Sequence, residues 1–509
     1  MICRRVVLSF CLASVCASGA RAQVEPPIAV ALRHAPADAL HAQLESYLPV
    51  LTRAYAGRKF QPIWTDAAGL NAAGRSVVGA FRLAEEDGLK PADYLVPSVE
   101  SPASDPSRLA EADVLLSAAA LRFARDLGWG LTSPSEVDRD NDYAPRRFDA
   151  DAVFARIVAA GDPGRELQAL APASPAYALL KKGLAQLRGV QRAGGWKTVS
   201  PGPTLRTGDR GPRVEELRAR LVERGDLTQG AGDTFDAALA DGLKRFQRRH
   251  GLEEDGVYGR DVVGEFNVPL ATRIEQLQLG MERLRWLPGV FTGRRIAVNL
   301  ADFKAYVLDG DTVTHEMRTV VGKQYHETPM FTASMTYIVI NPYWNVPPSI
   351  AKAEILPKAQ RDPAYLARNH MEVVGGAVRQ LPGPWNSLGF FKFMFPNAHN
   401  IYLHDTPARN LFEQTDRAYS HGCVRVDRPA DLAAVLLKDQ GWTPERIAAT
   451  VKSGDRTVVT LDTPIPVEIT YATAFLDTDG LLHYRRDVYG RDRKLIEALA
   501  HRSHGSWER

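Results

Sequence analysis

Apolar residues recur at helical spacing through the N-terminal part of the chain. Residues 72–87 form the clearest amphipathic stretch, and Gly88 is a suitable stop for it. Residues 115–127 follow the same period. Proline and glycine cluster at 200–203, which is typical of a linker. These patterns predict a helical scaffold domain over residues 23–200.

A second, smaller group of helices is predicted over residues 204–268. A glycine-rich turn leads into a helix at 212–224, where Pro212 fits the first turn. The next helix, 236–250, has an apolar stripe, and another glycine turn separates it from a short third helix. The stripe consists of Phe235, Leu239, Leu243 and Phe246. The pattern indicates a three-helix module, followed by a connecting helix over residues 270–288.

Short β-prone runs then replace the helical pattern, and a hairpin signal at 309–311 separates two of them. These runs are 295–300, 304–308, 312–319, 335–340 and 456–461. They predict a multidomain α+β protein whose mainly β catalytic domain covers residues 294–463, with 464–509 as a C-terminal extension. A helical pattern at 350–369 interrupts the strands. We interpret an insertion over about 350–395 as a lid.

Charge and composition exclude some partners. The chain has 63 Lys and Arg against 60 Asp and Glu residues, so nothing indicates nucleic acid as its main partner. With 45% hydrophobic and 24% charged residues, the composition is that of an ordinary globular protein. A length of 509 residues fits about two to four domains.

The first residues predict export. Two arginines precede the apolar run 6–16, and the small residues at 20–22 suit cleavage after Ala22. This predicts a secretory signal peptide over residues 1–22, with no transmembrane anchor after cleavage. The apolar run is shorter than the roughly 20 residues of a bilayer span, although an uncleaved N-terminal anchor is an alternative.

The predicted cleavage changes the number of cysteines in the mature chain. The sequence has four cysteines, and Cys3, Cys11 and Cys16 belong to the predicted signal peptide. After cleavage, Cys423 would have no partner for an internal disulfide in the oxidising compartment. Such a cysteine is a reactive thiol, a site of intermolecular pairing or a buried apolar side chain.

The residues around Cys423 suit a nucleophile. Gly422 allows a tight backbone whose N–H groups can point at one oxygen. Residues 427–431 have the pattern of a helix N-terminus, whose dipole favours a thiolate. A thiol nucleophile also needs a base. His421 is close in sequence and His404 ends a β-prone run, and spacing alone does not decide between them.

The two histidines and the cysteine lie within a longer motif. Fifteen residues separate His404 from the run SHGCVR at 420–425, and this pattern resembles the signature of the L,D-transpeptidases, cysteine enzymes of bacterial peptidoglycan. The resemblance covers most of residues 40–490, and its three-helix part resembles the peptidoglycan-binding domain family. The stretches that carry it are 60–64, 86–94, 205–259, 341–348 and 399–406. At the position of Arg425 many relatives carry asparagine, whereas the larger members also carry arginine, so this departure concerns only a substrate contact.

The resemblance implies a set of catalytic residues. Cys423 would be the nucleophile and His404 the base that activates it. The backbone of His421, Gly422 and Cys423 would form the oxyanion hole, with the side chains of His421 and Ser420 supporting the site. No cofactor and no metal are expected.

Three further residues are candidate substrate contacts. Tyr343 and Trp344 would line the donor groove, although core packing explains either equally well. Arg425 would meet a substrate carboxylate, with a structural ion pair as the alternative. A zinc site is a rival interpretation, but its ligands match no common zinc spacing. They would be His399, His404, His421 and Cys423.

The resemblance also implies a reaction. The protein would form 3→3 cross-links between meso-diaminopimelate residues of tetrapeptide stems through a cysteine thioester. The alternatives are hydrolysis, by an L,D-carboxypeptidase or endopeptidase, and non-catalytic wall binding. Expected partners are peptidoglycan stem peptides, glycan and other cell-wall synthesis enzymes in the periplasm. Carbapenems are expected to acylate Cys423.

Overall fold

The structure is a computed structural model. It describes residues 25–33, 41–95, 100, 102, 105–144, 146–287, 289, 292–477 and 479–502. The predicted signal peptide, 1–22, therefore lies outside the described residues. The chain forms two compact units, one of Met1–Arg75 with Pro97–Ala118 and one of Ser76–Val96 with Ala119–Arg509.

Helices dominate the N-terminal part, as the sequence predicts. The elements are α1 Pro27–Arg33, α2 His41–Gly57, β1 Thr65–Asp66, β2 Gly69–Leu70, α3 Ala72–Arg82, α4 Pro106–Trp129, α5 Pro134–Val137, β3 Asn141–Asp142, α6 Ala150–Ala159, α7 Pro163–Gln168 and α8 Pro175–Arg192, with 3₁₀ turns at Ala84–Asp87 and Pro91–Asp93. The amphipathic stretch 72–87 is confirmed as α3 and the turn after it. Gly88 ends that turn in the left-handed conformation, with a φ of 72°.

A buried carboxylate organises the first compact unit. Asp113 of α4 is 0% exposed and accepts hydrogen bonds from the amides of Trp64 and Thr65, both at 2.7 Å. The Tyr55 hydroxyl of α2 donates to the same carboxylate at 2.5 Å. Burial, together with this negative charge, raises the pKa of Tyr55. These bonds join the two helices to the segment around β1.

The predicted three-helix module is present. Its helices are α9 Pro212–Glu223, α10 Ala237–Arg249 and α11 Arg260–Phe266, and the connecting helix is α12 Leu270–Trp286. The apolar stripe predicted for α10 is confirmed, because all four of its residues are 0% exposed and belong to the module's own core. Among the described helices of the whole chain, none is long and apolar enough to cross a membrane.

Most of the described strands lie in the C-terminal half. The elements there are β4 Arg294–Asn299, β5 Lys304–Asp309, β6 Thr312–Gly322, β7 Met330–Ile340, β8 Trp344–Asn345, α13 Pro348–Ile350, α14 Leu356–Arg361, α15 Tyr365–Arg368, β9 Met371–Val374, β10 Ala377–Gln380, β11 Phe391–Met394, β12 Leu403–His404, β13 Ala418–Ser420, β14 Val424–Val426, α16 Pro429–Leu437, α17 Pro444–Ser453, β15 Thr457–Thr470, β16 Ala474–Leu476, β17 Leu482–Tyr484 and α18 Arg491–Arg502. A π-helical turn, Ala351–Ile355, joins α13 to α14, and 3₁₀ turns lie at Arg409–Glu413 and Lys438–Gln440. The predicted α+β class is thus confirmed.

Eight of these strands close into a ring. Their order is β11, β12, β14, β6, β5, β4, β15 and β7, and β7 pairs back to β11. One face of each strand packs into a shared apolar core. β3 and β13 add to the ring at β7 and β6. Residues on the other face of the strands are therefore available for a site outside the ring.

The lid insertion is shorter than the sequence indicates. Its helical part is confirmed as short segments between Pro348 and Arg368. Strands β8, β10 and β9 then form a separate small sheet, which the sequence pattern missed. The predicted limit near residue 395 is wrong, because Phe391–Met394 is a strand of the ring itself. Burial of its two phenylalanines in the ring core explains that placement.

The last strand of the ring is longer than predicted. The predicted strand ends at 461, and the predicted catalytic domain ends at 463. β15 instead continues to Thr470, with a register irregularity between Thr460 and Ile465. The irregularity takes up the proline-containing segment. The chain therefore has no break in structure at the predicted boundary.

Candidate active site

Three basic side chains lie in one row across neighbouring strands. Lys392 of β11 pairs with His404 of β12, and His404 pairs with Arg425 of β14. Their chain neighbours face the core of the ring. These neighbours are Phe391, Phe393, Leu403, Val424 and Val426. Because side chains alternate along a strand, the row faces outward, with the imidazole between two cations.

Cys423 lies beside this row, immediately before β14. The Ser420 hydroxyl donates to the Cys423 carbonyl at 2.5 Å and accepts from the Gly422 amide at 3.1 Å. Thr328 donates its hydroxyl to the Gly422 carbonyl at 2.7 Å. Gly422 has a φ of 112°, a left-handed conformation that side chains disfavour. Glycine and two hydroxyls therefore hold the cysteine loop.

The thiol is partly buried and has two polar neighbours. Its sulfur donates to the Asn400 carbonyl at 3.8 Å, and Tyr402 is a second polar neighbour, whose interaction opposes the rise of the Cys423 pKa. In the part of the chain that the structure describes, His404 is not a hydrogen-bond partner of Cys423. The Tyr402 ring lies 5.6 Å from the His404 ring, centroid to centroid. Tyr402 therefore contacts both the thiol and the neighbourhood of the imidazole.

The orientation of His404 is set by its hydrogen bond. Nδ1 donates to the backbone carbonyl of Asp405 at 2.5 Å, and since a carbonyl only accepts, the proton of the neutral ring is on Nδ1. Nε2 then has a free lone pair. The carboxylate of Asp405 is held in turn by the amides of Phe390 and Thr406, at 2.8 and 2.6 Å, and by Arg409. These contacts fix the carbonyl and with it the ring.

Burial and the neighbouring charges set the protonation states. Burial, the Arg425 charge and the Lys392 charge lower the pKa of His404 to about 3, so the imidazole is neutral at neutral pH. Burial raises the pKa of Cys423, while Tyr402, Lys392 and Arg425 oppose that rise. The resting pair is therefore a neutral thiol and a neutral base, with two cations ready to stabilise a thiolate.

Family comparisons agree with this arrangement. Residues 293–463 match the model of the L,D-transpeptidase catalytic domain. Residues 49–184 match a scaffold domain, and residues 210–264 match a model described as "Putative peptidoglycan binding domain". The site described above lies wholly within the first of these ranges.

Residues 293–463 are an L,D-transpeptidase catalytic domain. A curated relative from Haemophilus influenzae strain Rd, "Putative L,D-transpeptidase", is 33% identical over 242 residues. The alignment covers 43% of this chain and 49% of the relative, so the chain spans about half the length of the curated relative it matches.

Solved structures of low similarity were also found. An L,D-transpeptidase from Xylanimonas cellulosilytica is 15% identical, with a TM-score of 0.19, covering 53% of this chain and 100% of that one. An L,D-transpeptidase from Mycobacterium smegmatis is 13% identical, with a TM-score of 0.20, covering 36% of this chain and 60% of that one. At these TM-scores neither likeness supports an argument.

In the L,D-transpeptidase domain, the side chain of His421 contacts residues other than Cys423 and His404. Its Nε2 lies 2.8 Å from the Glu354 carboxylate in the π-helical turn of the lid, and its ring lies 5.2 Å from that of His326. The predicted oxyanion amide of Gly422 is occupied by the Ser420 hydroxyl. Among the described hydrogen bonds, none uses the Cys423 amide. The amide of His421 is likewise unused among those bonds, so these two amides are the ones left for an oxyanion.

The three candidate substrate contacts lie in different surroundings. Tyr343 lines a cavity near the thiol and stacks under the Arg379 guanidinium at 4.4 Å. Trp344 packs against the apolar cluster of the lid, which favours the packing alternative for that residue. Arg425 forms no ion pair among the described residues, and its Nε is buried without a hydrogen-bond partner. Its charge is therefore open to an anion.

The rival zinc site is not assembled. Within the described residues, no group of three or more His, Cys, Asp or Glu side chains could hold a metal ion. His399 points instead to Asp142, with Nε2 at 3.2 Å from the carboxylate. His421 bonds to Glu354. The histidines of the proposed set are thus directed to separate partners.

Sequence reasoning missed several residues of the site, and two of them left a signal. Lys392 is the single charge in the run FFKFMF at 390–395, where an apolar strand has no other reason to carry one. Tyr402 is two residues before His404, the spacing that places side chains on one face of a strand. Glu354 left no signal, because its contact with His421 joins two parts of the chain that are 67 residues apart.

We expect alkylation of Cys423 by iodoacetamide to accelerate steadily as the pH rises. Because burial raises the thiol pKa, the thiolate fraction is small at neutral pH and grows about tenfold per pH unit below that pKa. A neutral His404 forms no ion pair that would hold a thiolate in acid. Mass spectrometry of the Cys423 peptide across about pH 5 to 9 follows the rate. A rate that does not vary over this range would contradict the assignment.

Proposed function

We propose that this protein is a peptidoglycan L,D-transpeptidase that forms 3→3 cross-links through a cysteine thioester. One observation carries the proposal. A thiol with a neutral, oriented imidazole nearby and two cations beside both lies within an L,D-transpeptidase catalytic domain. Cys423 is then the nucleophile, His404 the base and Lys392 with Arg425 the charges that stabilise the thiolate.

The reaction follows from these roles. His404 Nε2 takes the thiol proton while the sulfur attacks the carbonyl at the L-centre of meso-diaminopimelate in a donor tetrapeptide. The bond to terminal D-alanine breaks, and its amine leaves with the proton from His404. The side-chain amine of a second stem then attacks the thioester. An amide forms as His404 takes a proton from this amine, the carbon–sulfur bond breaks, and His404 passes the proton to the sulfur.

The rest of the chain supports action on the cell wall. The matched peptidoglycan-binding range, 210–264, would keep the enzyme on its polymeric substrate, and other cell-wall synthesis enzymes would be its neighbours. The predicted signal peptide would deliver it to the periplasm. Carbapenems would acylate the same thiol. No cofactor enters the reaction.

Two other activities fit part of this description. Water in place of the acceptor amine would make the protein an L,D-carboxypeptidase or endopeptidase. The lid favours transfer over hydrolysis by covering the site, since excluding water protects a thioester. A non-catalytic wall-binding role uses residues 210–264 alone and gives no function to the row of Lys392, His404 and Arg425.

Mass spectrometry of the products tests the proposal. Incubation of the protein with purified disaccharide-tetrapeptides is expected to release D-alanine and to give a dimer with a meso-diaminopimelate to meso-diaminopimelate bond. Tandem spectra distinguish this bond from other linkages. Release of D-alanine with only monomeric tripeptide would favour the carboxypeptidase. No change in the substrate, with the chain still retained on purified sacculi, would favour wall binding.

A further inference from the structure

A cavity of about 410 Å³ opens beside the catalytic row, between the ring and the lid. Its ring side includes Lys392 of β11 and Arg456, the residue before β15, and its lid side includes Arg379 of β10 and Tyr343. Three of its nine lining residues are cations and none is an acid. A concave surface with this balance of charge favours an anionic ligand.

Two of the three cations are not compensated. Arg379 pairs with Glu372 at 2.5 Å, at the edge of the cavity. Lys392 lies over the Tyr402 ring, 4.0 Å from its centroid. Among the described residues, no carboxylate lies within ion-pair distance of Lys392 or Arg456. Burial also lowers the pKa of Lys392; Cys423 opposes this change and the Arg456 charge adds to it.

The cavity and the thiol have Lys392 as a common neighbour. This side chain lines the cavity and also belongs to the row that contains His404 and flanks Cys423. An anion in the cavity would therefore contact the same lysine whose charge acts on Cys423. A guanidinium from Arg456 offers the two-point donor geometry that suits a carboxylate, and Lys392 offers a point charge.

We propose that this cavity binds a free carboxylate of the donor peptide, held by Arg456 and Lys392. The inference rests on the proposed function, because it takes the donor to be a stem peptide with several carboxylates. Arg379 extends the same positive surface onto the lid, so a bound carboxylate would connect the lid to the ring. The cavity is thereby a determinant of substrate choice: it selects stems whose carboxylate is free over stems in which it is amidated.

Calorimetric binding to the Cys423→Ala protein tests the proposal without turnover. The ligands are the disaccharide-tetrapeptide and three analogues, each with one of its carboxylates amidated. We expect one analogue to bind about tenfold more weakly, as loss of a charge-assisted hydrogen bond predicts. Adding Arg456→Gln should weaken binding of the unmodified disaccharide-tetrapeptide by about the same factor. It should also remove the difference in affinity between this peptide and that analogue.

Matched variants separate this effect from net charge. Arg493→Gln makes the same change at a 71% exposed side chain of α18, which does not line the cavity, and should leave all four affinities unchanged. Arg456→Lys should recover part of the affinity. Equal binding of all four peptides, or an amidation effect that persists in Arg456→Gln, would overturn the assignment. Turnover with Cys423 intact is measured separately, so selective binding without turnover would reject the proposed function and retain the cavity's role.

Discussion

Replacing Cys423 with alanine is expected to lower D-alanine release and cross-link formation by at least about 10⁴-fold. The size follows from the role of a nucleophile, because its loss removes the covalent route and the remaining site only binds substrate. The acyl-enzyme, seen by intact-mass spectrometry as a protein carrying the tripeptide, should vanish with the turnover. Carbapenem adducts on the intact protein should vanish too.

The same variant should remain folded and bind peptidoglycan. Cys423 is partly buried, and its replacement by alanine removes a single heavy atom, so the thermal midpoint should change by only a few degrees. Retention on purified sacculi should match that of the unaltered protein, since the three-helix module is distant in sequence and has its own core. Normal turnover in this variant would refute the thioester route and leave the nucleophile to be found elsewhere.

Local patterns were sufficient for much of the fold. The stripe of α10 and the first strands of the ring follow from periodicities of 3.6 and 2, which short segments reveal by themselves. The end of the lid did not follow. Strand β11 joins the ring only through pairing with β7 and β12, and such pairing depends on residues far apart in the chain. The continuation of β15 beyond 461 also depends on pairing with distant strands, and its register is irregular between Thr460 and Ile465.

The site, too, was predictable where local sequence is sufficient and not where it depends on strand pairing. Cys423 could be singled out because counting cysteines excluded an internal disulfide for the predicted mature chain. The assignment of His404 rather than His421 as the base came from the resemblance. The surroundings of the two histidines depend on how the strands are paired. The row that places Lys392 and Arg425 on either side of His404 is a cross-strand relation. The three residues come from three separate strands, so the local sequence pattern could not predict that two cations flank the imidazole.

His404→Gln is expected to reduce turnover by about 10² to 10⁴-fold, the usual worth of a general base. Glutamine is a suitable replacement because its amide can still donate to the Asp405 carbonyl, which keeps the buried position satisfied. It cannot take a proton from the thiol. The reduction should be largest near neutral pH and smaller in alkali, where hydroxide removes the proton instead. Rates of acylation by tetrapeptide, followed from about pH 5 to 10, measure this dependence.

His421→Gln is the matched control, since the same change is made two residues from the nucleophile. The ring of His421 bonds to Glu354 rather than to the thiol, so this variant should keep turnover within about tenfold of the unaltered protein. A larger loss at His421 than at His404 would reverse the assignment of the base.

The acylation rate at acidic pH provides an independent test of the protonation state of His404. Because burial and two cations lower the His404 pKa to about 3, acylation by the unaltered protein should not fall off near the ordinary histidine value of about 6.5. A fall in the acylation rate near that value would contradict the lowered pKa of His404 and with it the interpretation of the imidazole as a base that stays neutral in mild acid.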